Sequence, residues 1–304
     1  MAGMRYPAAR QACDIFIHYQ ENCTLRFFDP EIADDHYPHY QSWREQHPVF
    51  RDDGTGEWII SRREDVISAL KNHQQFSSSA FAESEQNPVT LPLLSDDPPR
   101  HTKLRTLVNR AFTSRALKEL ETGIEQLGRT LAEEIAAGVE VDIAEMFTIQ
   151  LPVAVIARMM GIPGERSEDF KRWSDALTGT SEAIDMAQRM PDIMEMAGFF
   201  NSLIPERRSH PGDDLISKIV HAEVDGERLS DEDITGFCML LLIAGNETTT
   251  NLLSNLLHHA ASNPGLWEEL RADPEKIEPA IEEILRYDAP VQFVFRTVTK
   301  DMTL

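Results

Sequence analysis

The sequence predicts a mainly helical fold with a small β region. Its longest apolar run, Phe237 to Ala244, lies inside a helix-like stretch that continues to Asn263–Pro264. A second stretch repeats apolar residues every three or four positions, the period of an amphipathic helix: Leu117, Leu120, Ile124, Leu127, Leu131 and Ile135. Only "EWIIS" (57–61) and "VQFVFRTVT" (291–299) have the composition or alternation of strands.

The first third of the chain predicts short elements. Residues 1–28 are a lead-in, and a helix covers His36 to Gln46, ending before Pro48. A helix over 64–72 follows the first strand. Residues 77–97, rich in Ser, Pro and Asp, predict a long loop, and such loops often carry function.

Helices dominate the remainder. They are expected at Pro98–Phe112, 117–135, 145–160, 165–178, 212–220, 264–272 and 275–287, with a methionine-rich segment at 183–200. Ser230 followed by Asp233 resembles a capping box that starts the longest helix. That helix runs to about Ser262 and is roughly 48 Å long at 1.5 Å per residue. We expect one domain over residues 29–304.

Composition limits the possible functions. The chain has 29 Lys and Arg against 51 Asp and Glu, a net charge of −22, which disfavours nucleic-acid binding. Its three cysteines lack zinc-finger spacing and are too few for a disulfide framework. With no signal-like N-terminal segment and no run of about 20 apolar residues, we expect a cytoplasmic protein without a membrane anchor.

One basic segment stands out against the acidic background. Residues 100–118 hold six Lys or Arg and no acid, which indicates either an anionic ligand or partner or a solvated helix face. His101 and Arg105 are four residues apart, on one helical face. Such a pair suits a carboxylate or phosphate.

The polar interruption "AGNETTT" (244–250) is the clearest candidate site. Ala244, Glu247 and Thr248 share a helical face at i, i+3 and i+4, and Thr248 can hydrogen-bond the Ala244 carbonyl. Small residues at Ala244 and Gly245 allow close approach of a bulky group. An acid beside an alcohol can deliver protons, although a kinked helix with a matched polar patch gives the same pattern.

Two further signals are ambiguous alone. Glu283 and Arg286, three residues apart, form either an ordinary surface pair or a buried ion pair. Arg296 stands among apolar residues in the predicted second strand, where its guanidinium either meets an anion or reaches water.

Together the motifs "DPPRHTKLR", "AGNETT", "EEILRYDAPV" and "RTV" resemble those of bacterial-type soluble cytochromes P450, in the same order. The resemblance covers nearly all of residues 28–304. It implies the multihelical P450 fold with a small β region, incomplete at the C-terminus. It also implies a b-type haem and monooxygenation, in which one oxygen atom of O2 enters a lipophilic small molecule.

The resemblance assigns roles to the candidate residues. Glu247 and Thr248 would relay protons during oxygen activation, and Ala244 and Gly245 would let the helix pass over the porphyrin. His101, Arg105 and Arg296 would contact the haem propionates, and Glu283 and Arg286 would be a buried structural pair. The substrate pocket would be framed by Phe81, Leu94, Leu240, Val291, Phe293 and Val294.

Electrons would come from NAD(P)H through a ferredoxin-type partner docking near residues 100–118. The family's iron-ligand cysteine lies beyond the strand at which this sequence stops, and no cysteine follows Cys238. Cys238 itself is expected to be a core residue. We therefore expect a truncated or degenerate chain that is inactive as it stands.

The sequence is compatible with two other functions. A non-catalytic helical small-molecule-binding protein would share these helices. An isoprenoid cyclase would need a metal site built from several acids, and the paired aspartates here lack a further acid at the required spacing.

Overall fold

The protein is described by a computed structural model covering residues 25–33, 35–79, 91–112, 114–135, 139–178, 186–224 and 226–302. It confirms the predicted fold class, with long helices and only short strands. The described residues fall into two compact units, one within 1–80 and 295–304 and the other within 81–294. The prediction of one domain stays a prediction, and the first 24 residues of the lead-in lie outside the described part.

The elements follow one another in the order α1, α2, β1, β2, α3, β3, α4–α9, β4, β5, α10–α12, β6. Their bounds are α1 Pro30–Ala33, α2 Tyr37–Gln46, β1 Val49–Arg51, β2 Trp58–Ile60, α3 Arg63–Lys71, β3 Phe76–Ser77, α4 Arg100–Ala111, α5 Ser114–Glu134, α6 Gln150–Met159, α7 Ser167–Thr178, α8 Met186–Ser209, α9 Leu215–Val220, β4 Glu223–Val224, β5 Glu227–Arg228, α10 Asp231–Ser262, α11 Pro264–Ala272, α12 Ile277–Tyr287 and β6 Thr297–Val298. A π-helical turn, Ala144–Thr148, precedes α6.

The smaller unit is built on two antiparallel strand pairs and short helices. Strand β1 pairs with β2, with Phe50 opposite Ile59, and β3 pairs with β6, with Phe76 opposite Val298. Trp43 of α2 is buried and lies 5.1 Å from Phe50, ring centroid to centroid. The predicted helices at 36–46 and 64–72 are therefore confirmed, as is the strand at 57–61.

The larger unit is organised around α10, which packs against α6, α7, α8, α9, α11 and α12. Aromatic and aliphatic side chains from these helices form its core. Its fully buried members include Met160, Phe170, Trp173, Met196, Phe200, Ile234 and Leu242. Among the described helices, none combines the length and the apolarity needed to cross a membrane.

The ends of α10 follow the signals in the sequence. The Ser230 hydroxyl accepts a hydrogen bond of 3.0 Å from the Asp233 backbone amide, which satisfies one free donor of the first turn. The helix ends at Ser262, and Pro264 begins α11. The predicted start and end of this helix are confirmed.

Two local predictions are corrected by the structure. The strand predicted at 291–299 is limited to Thr297–Val298, because only these two residues pair with β3 and alternation alone supplies no hydrogen-bonding neighbour. The helix predicted at 145–160 is divided between the π-helical turn and α6.

Candidate functional site

The middle of α10 has an open face made of Ala244, Glu247 and Thr248. Ala244 and Glu247 are exposed and Thr248 is partly buried, although residues 234–239 of the same helix are all buried. The Thr248 hydroxyl donates a hydrogen bond of 2.8 Å to the Ala244 carbonyl oxygen, as predicted. A small side chain, an acid and an alcohol therefore share one accessible turn.

Gly245 faces a different direction from Ala244, towards α6. A Cβ atom at Gly245 would lie 2.9 Å from Cδ1 of Ile156, closer than ordinary carbon contacts allow. Ile156 is 4% exposed and belongs to the core. The structure therefore explains Gly245 by close helix packing, whereas the sequence interpretation linked it to the porphyrin. Its proposed contact with a cofactor stays a prediction.

This packing predicts that replacing each of two helical glycines by alanine changes the stability of the protein differently. Gly198→Ala in α8, where no atom lies within 4 Å of the new Cβ, should stabilise the protein by up to about 1 kcal/mol through helix propensity. Gly245→Ala should be less favourable than Gly198→Ala by about 1–3 kcal/mol, the cost of overpacking. Urea unfolding of both variants measures the difference.

An Ile156→Val background removes the Cδ1 atom and serves as the control. In that background we expect Gly245→Ala to approach the behaviour of Gly198→Ala. Equal effects of Gly245→Ala in the two backgrounds would show that the α6 contact does not select glycine.

A partly buried polar stripe on α10 was missed by the sequence interpretation. Asn246 donates a hydrogen bond of 2.5 Å to the Ser174 hydroxyl on α7. The Thr250 hydroxyl lies 3.0 Å from the Thr148 carbonyl oxygen, and the Ser254 and Thr148 hydroxyls are 2.8 Å apart. The spacing i, i+4, i+8 of Asn246, Thr250 and Ser254 in an otherwise apolar helix is the signal that could have revealed it.

Part of the basic segment 100–118 is paired within the chain, on α4. The Arg100 guanidinium lies 2.8 Å from a carboxylate oxygen of Asp96 and 2.5 Å from one of Asp233. Lys103 forms an ion pair of 3.0 Å with Glu227. Arg110 also donates a hydrogen bond to the backbone oxygen of residue 223. The predicted docking of a ferredoxin-type partner near residues 100–118 stays a prediction.

His101 and Arg105 differ from those cations. Within the described part of the chain, neither side chain makes a hydrogen bond or an ion pair. His101 is partly buried and Arg105 is exposed, while Leu104 between them is part of the core. The two predicted carboxylate-binding groups are thus available on α4.

Arg296 belongs to the smaller unit and is exposed. Its guanidinium donates a hydrogen bond of 2.6 Å to the backbone oxygen of Phe295. Its predicted contact with a propionate stays a prediction.

The Glu283–Arg286 pair forms, but its predicted burial is wrong. Two hydrogen bonds of 2.7 and 2.8 Å join the side chains, and they hold the pKa of Glu283 below its usual value. Both side chains are more than half exposed, at 58% and 68%. The reason is that Ile284 is the residue of α12 that enters the core, while the pair points to solvent.

The apolar residues predicted to line a substrate pocket are distributed along the chain. Leu240 on α10 is partly buried, and its side chain packs against the core. Leu94, Val291, Phe293 and Val294 are exposed large apolar residues. Phe81 lies outside the described residues, and the shared pocket stays a prediction.

Cys238 lies on α10 and is buried in the core, as predicted. Burial raises the pKa of its thiol far above the usual value, which opposes formation of a thiolate. Among the described residues there is therefore no suitable thiolate ligand for iron.

Comparison with known proteins matches this chain to one protein family and its members. Residues 45–280 match the family described as Cytochrome P450. The chain is 38% identical over 275 residues to cytochrome P450 109 of Bacillus spizizenii, covering 88% of this chain and 66% of that protein. It therefore spans about two thirds of the length of this relative.

Solved structures agree with the sequence comparison. CYP109Q5 from Chondromyces apiculatus superposes with a TM-score of 0.83 at 35% identity, covering 91% of this chain and 71% of that chain. CYP109E1 from Bacillus megaterium in complex with testosterone gives a TM-score of 0.78 at 36% identity, covering 88% and 71%.

Proposed function

Because this chain belongs to the cytochrome P450 family of haem monooxygenases, we propose that it forms the distal wall of a haem pocket and serves oxidation of a lipophilic small molecule. The observation that carries the proposal is the open turn of α10. Ala244, Glu247 and Thr248 are accessible there on a helix whose preceding turns, from Ile234 to Leu242, contribute to the core.

The residues present fit a haem group. Haem is a flat apolar ring with two carboxylate groups, and a methyl-sized side chain at Ala244 leaves room for a ring beside the backbone. His101 and Arg105 offer hydrogen-bond donors that the described chain does not use, and such donors bind carboxylates strongly when charged. We assign these two residues to the carboxylates.

The open turn supplies the proton chemistry. Bound haem supplies the iron at which O2 is activated for monooxygenation. Forming water from the second oxygen atom consumes two protons, so a path for protons is required. We assign the Glu247 carboxylate and the Thr248 hydroxyl, which share this accessible turn, to hold and pass these protons through water.

The proposed substrate class rests on apolar residues of this chain and on a relative. Leu240 lies one turn before Ala244, and exposed apolar residues occur at 291, 293 and 294. The related CYP109E1 was crystallised with testosterone. We propose a lipophilic substrate, with electrons delivered from NAD(P)H through a ferredoxin-type protein.

Haemin titration tests the proposal on this chain. We expect saturable binding, followed by a change in haem absorbance, and about tenfold weaker binding in either His101→Ala or Arg105→Ala, the effect of losing one charged hydrogen bond. Lys103→Ala is the matched control, since Lys103 is a cation of the same helix already paired with Glu227. It should change the dissociation constant less than about twofold.

Equal weakening by all three substitutions would indicate only nonspecific charge attraction and would contradict the assignment. No saturable binding by the parent chain would contradict the proposed function for these residues.

A second candidate function is non-catalytic binding of a small molecule. The buried, protonated thiol of Cys238 favours it, because the described residues offer iron no thiolate. Haemin binding without product formation, in the presence of reductant and redox partner, would support this alternative.

A further inference from the structure

Asn246, Thr250 and Ser254 form a polar stripe along the side of α10 that faces the protein interior. Asn246 is 5% exposed, and its partner Ser174 on α7 and Thr148 of the π-helical turn are both fully buried. The Thr250 hydroxyl can donate to the Asn246 side-chain oxygen at 3.1 Å or to the Thr148 carbonyl at 3.0 Å. The stripe therefore connects α10 to two neighbouring segments.

We propose that this polar stripe positions the reactive turn, with Asn246 as its principal positioning residue. Asn246 directly precedes Glu247, and Thr250 follows Thr248 by two residues. The hydrogen bond between Asn246 and Ser174 fixes the rotation of α10 about its axis. It thereby fixes the direction in which the side chains of Glu247 and Thr248 point. This role rests on the proposed function, since it concerns the turn assigned to proton delivery.

The argument depends on the cost of rotating α10. Rotation by one residue, about 100° at 3.6 residues per turn, would carry Glu247 towards the position that Asn246 occupies. It would also separate the Asn246 amide from Ser174. A buried polar group without a partner is strongly disfavoured, and a buried unpaired carboxylate more so. If the stripe were apolar, rotation of α10 would cost less free energy. An apolar side chain can pack against a new apolar neighbour without losing a hydrogen bond.

The partner of Asn246 extends the connection beyond α10. Ser174 lies on α7, and Arg172 of the same helix is paired with Asp192 and Glu195 of α8. These ion pairs link α7, the helix that carries Ser174, to α8. The hydrogen bond from Asn246 to Ser174 connects the reactive turn of α10 to α7. A displacement of α7 would therefore also displace Glu247.

Hydrogen exchange of the haem-free chain tests the anchoring directly. Asn246→Leu and Thr250→Val keep approximate size but remove the polar groups. We expect amides in 244–250 to exchange about tenfold faster in either variant, while amides in 234–240 of the same helix are unchanged. Thr250→Ser keeps the hydroxyl and should retain the parent rate. Unchanged exchange, or equal acceleration in both windows, would overturn the proposal.

Haemin affinity then distinguishes positioning from general destabilisation. Asn246→Leu should weaken haemin binding about three- to tenfold, although its side chain is on the buried side of α10. Ile219→Val, a core change on α9, is the control for lost stability and should leave the affinity unchanged. Weakening by both variants alike, or by neither, would overturn the positioning role.

The two proposals fail separately. A parent chain that does not bind haemin contradicts the proposed function, whereas the exchange rates still decide whether the stripe anchors the turn. A parent chain that binds haemin, with exchange rates unaffected by Asn246→Leu, contradicts only the positioning role.

Discussion

In a haem-loaded form that makes product with a redox partner, Glu247→Gln is expected to lower the rate of product formation by about two orders of magnitude. General acid–base groups contribute about 10²–10⁴-fold to a rate, and a glutamine cannot release a proton. The Glu247 carboxylate is exposed on the open turn, beside the Thr248 hydroxyl. The initial rate of product formation, measured with a saturating lipophilic substrate, gives the effect.

Two further substitutions make this result specific. Glu247→Asp keeps a carboxylate and should recover part of the lost rate. Thr249→Val alters the exposed neighbour outside the assigned pair and should have little effect. A Glu247→Gln enzyme with the parent's rate would contradict the proton-delivery role, and equal losses in Glu247→Gln and Thr249→Val would contradict its specificity.

Trp173→Ala should produce the largest loss of stability, about 3–5 kcal/mol of unfolding free energy. Trp173 on α7 is fully buried, and its ring centroid lies 5.2 Å from that of Phe199. The Arg166 guanidinium lies 5.3 Å from the same ring, so truncation also removes a cation–π contact. Urea unfolding followed by circular dichroism measures the loss.

Trp58→Ala is the matched control, because Trp58 lies on β2 and its side chain is 51% exposed. We expect it to cost less than about 1 kcal/mol, since little apolar surface is returned to water. Similar losses for the two tryptophans would contradict the burial described for the core of the larger unit.

Local signals in the sequence predicted local structure well. The Ser230 cap, the end of α10 before Pro264 and the hydrogen bond from Thr248 to Ala244 each involve residues at most four apart. Such interactions are fixed by helix geometry and chain stereochemistry. Predictions of this type needed no knowledge of which helices are neighbours.

Interactions between distant residues could not be predicted in the same way. Asn246 and Ser174 are separated by 72 positions, and Lys103 and Glu227 by 124. Gly245 was correctly singled out as small, but the sequence could not show that Ile156 is the reason. For the same reason it could not show which cations of α4 are paired.

The wrong predictions have one physical cause: they depend on which distant segment packs beside a residue, and local sequence does not determine this. Residues 291–296 alternate like a strand, yet a strand requires a partner for its backbone, and only Thr297 and Val298 have one in β3. The spacing of Glu283 and Arg286 allows an ion pair whether the two side chains are buried or exposed. Their exposure depends on what covers α12, which the spacing does not encode.

The most direct test is paramagnetic broadening of methyl signals by bound ferric haem. The chain is labelled at alanine and threonine methyl groups, and zinc protoporphyrin serves as the diamagnetic reference. We predict strong broadening at Ala244 and Thr248 and none at Ala260, which lies roughly 24 Å further along α10 at 1.5 Å per residue. Haem that binds while the Ala244 and Thr248 signals stay sharp would contradict the account.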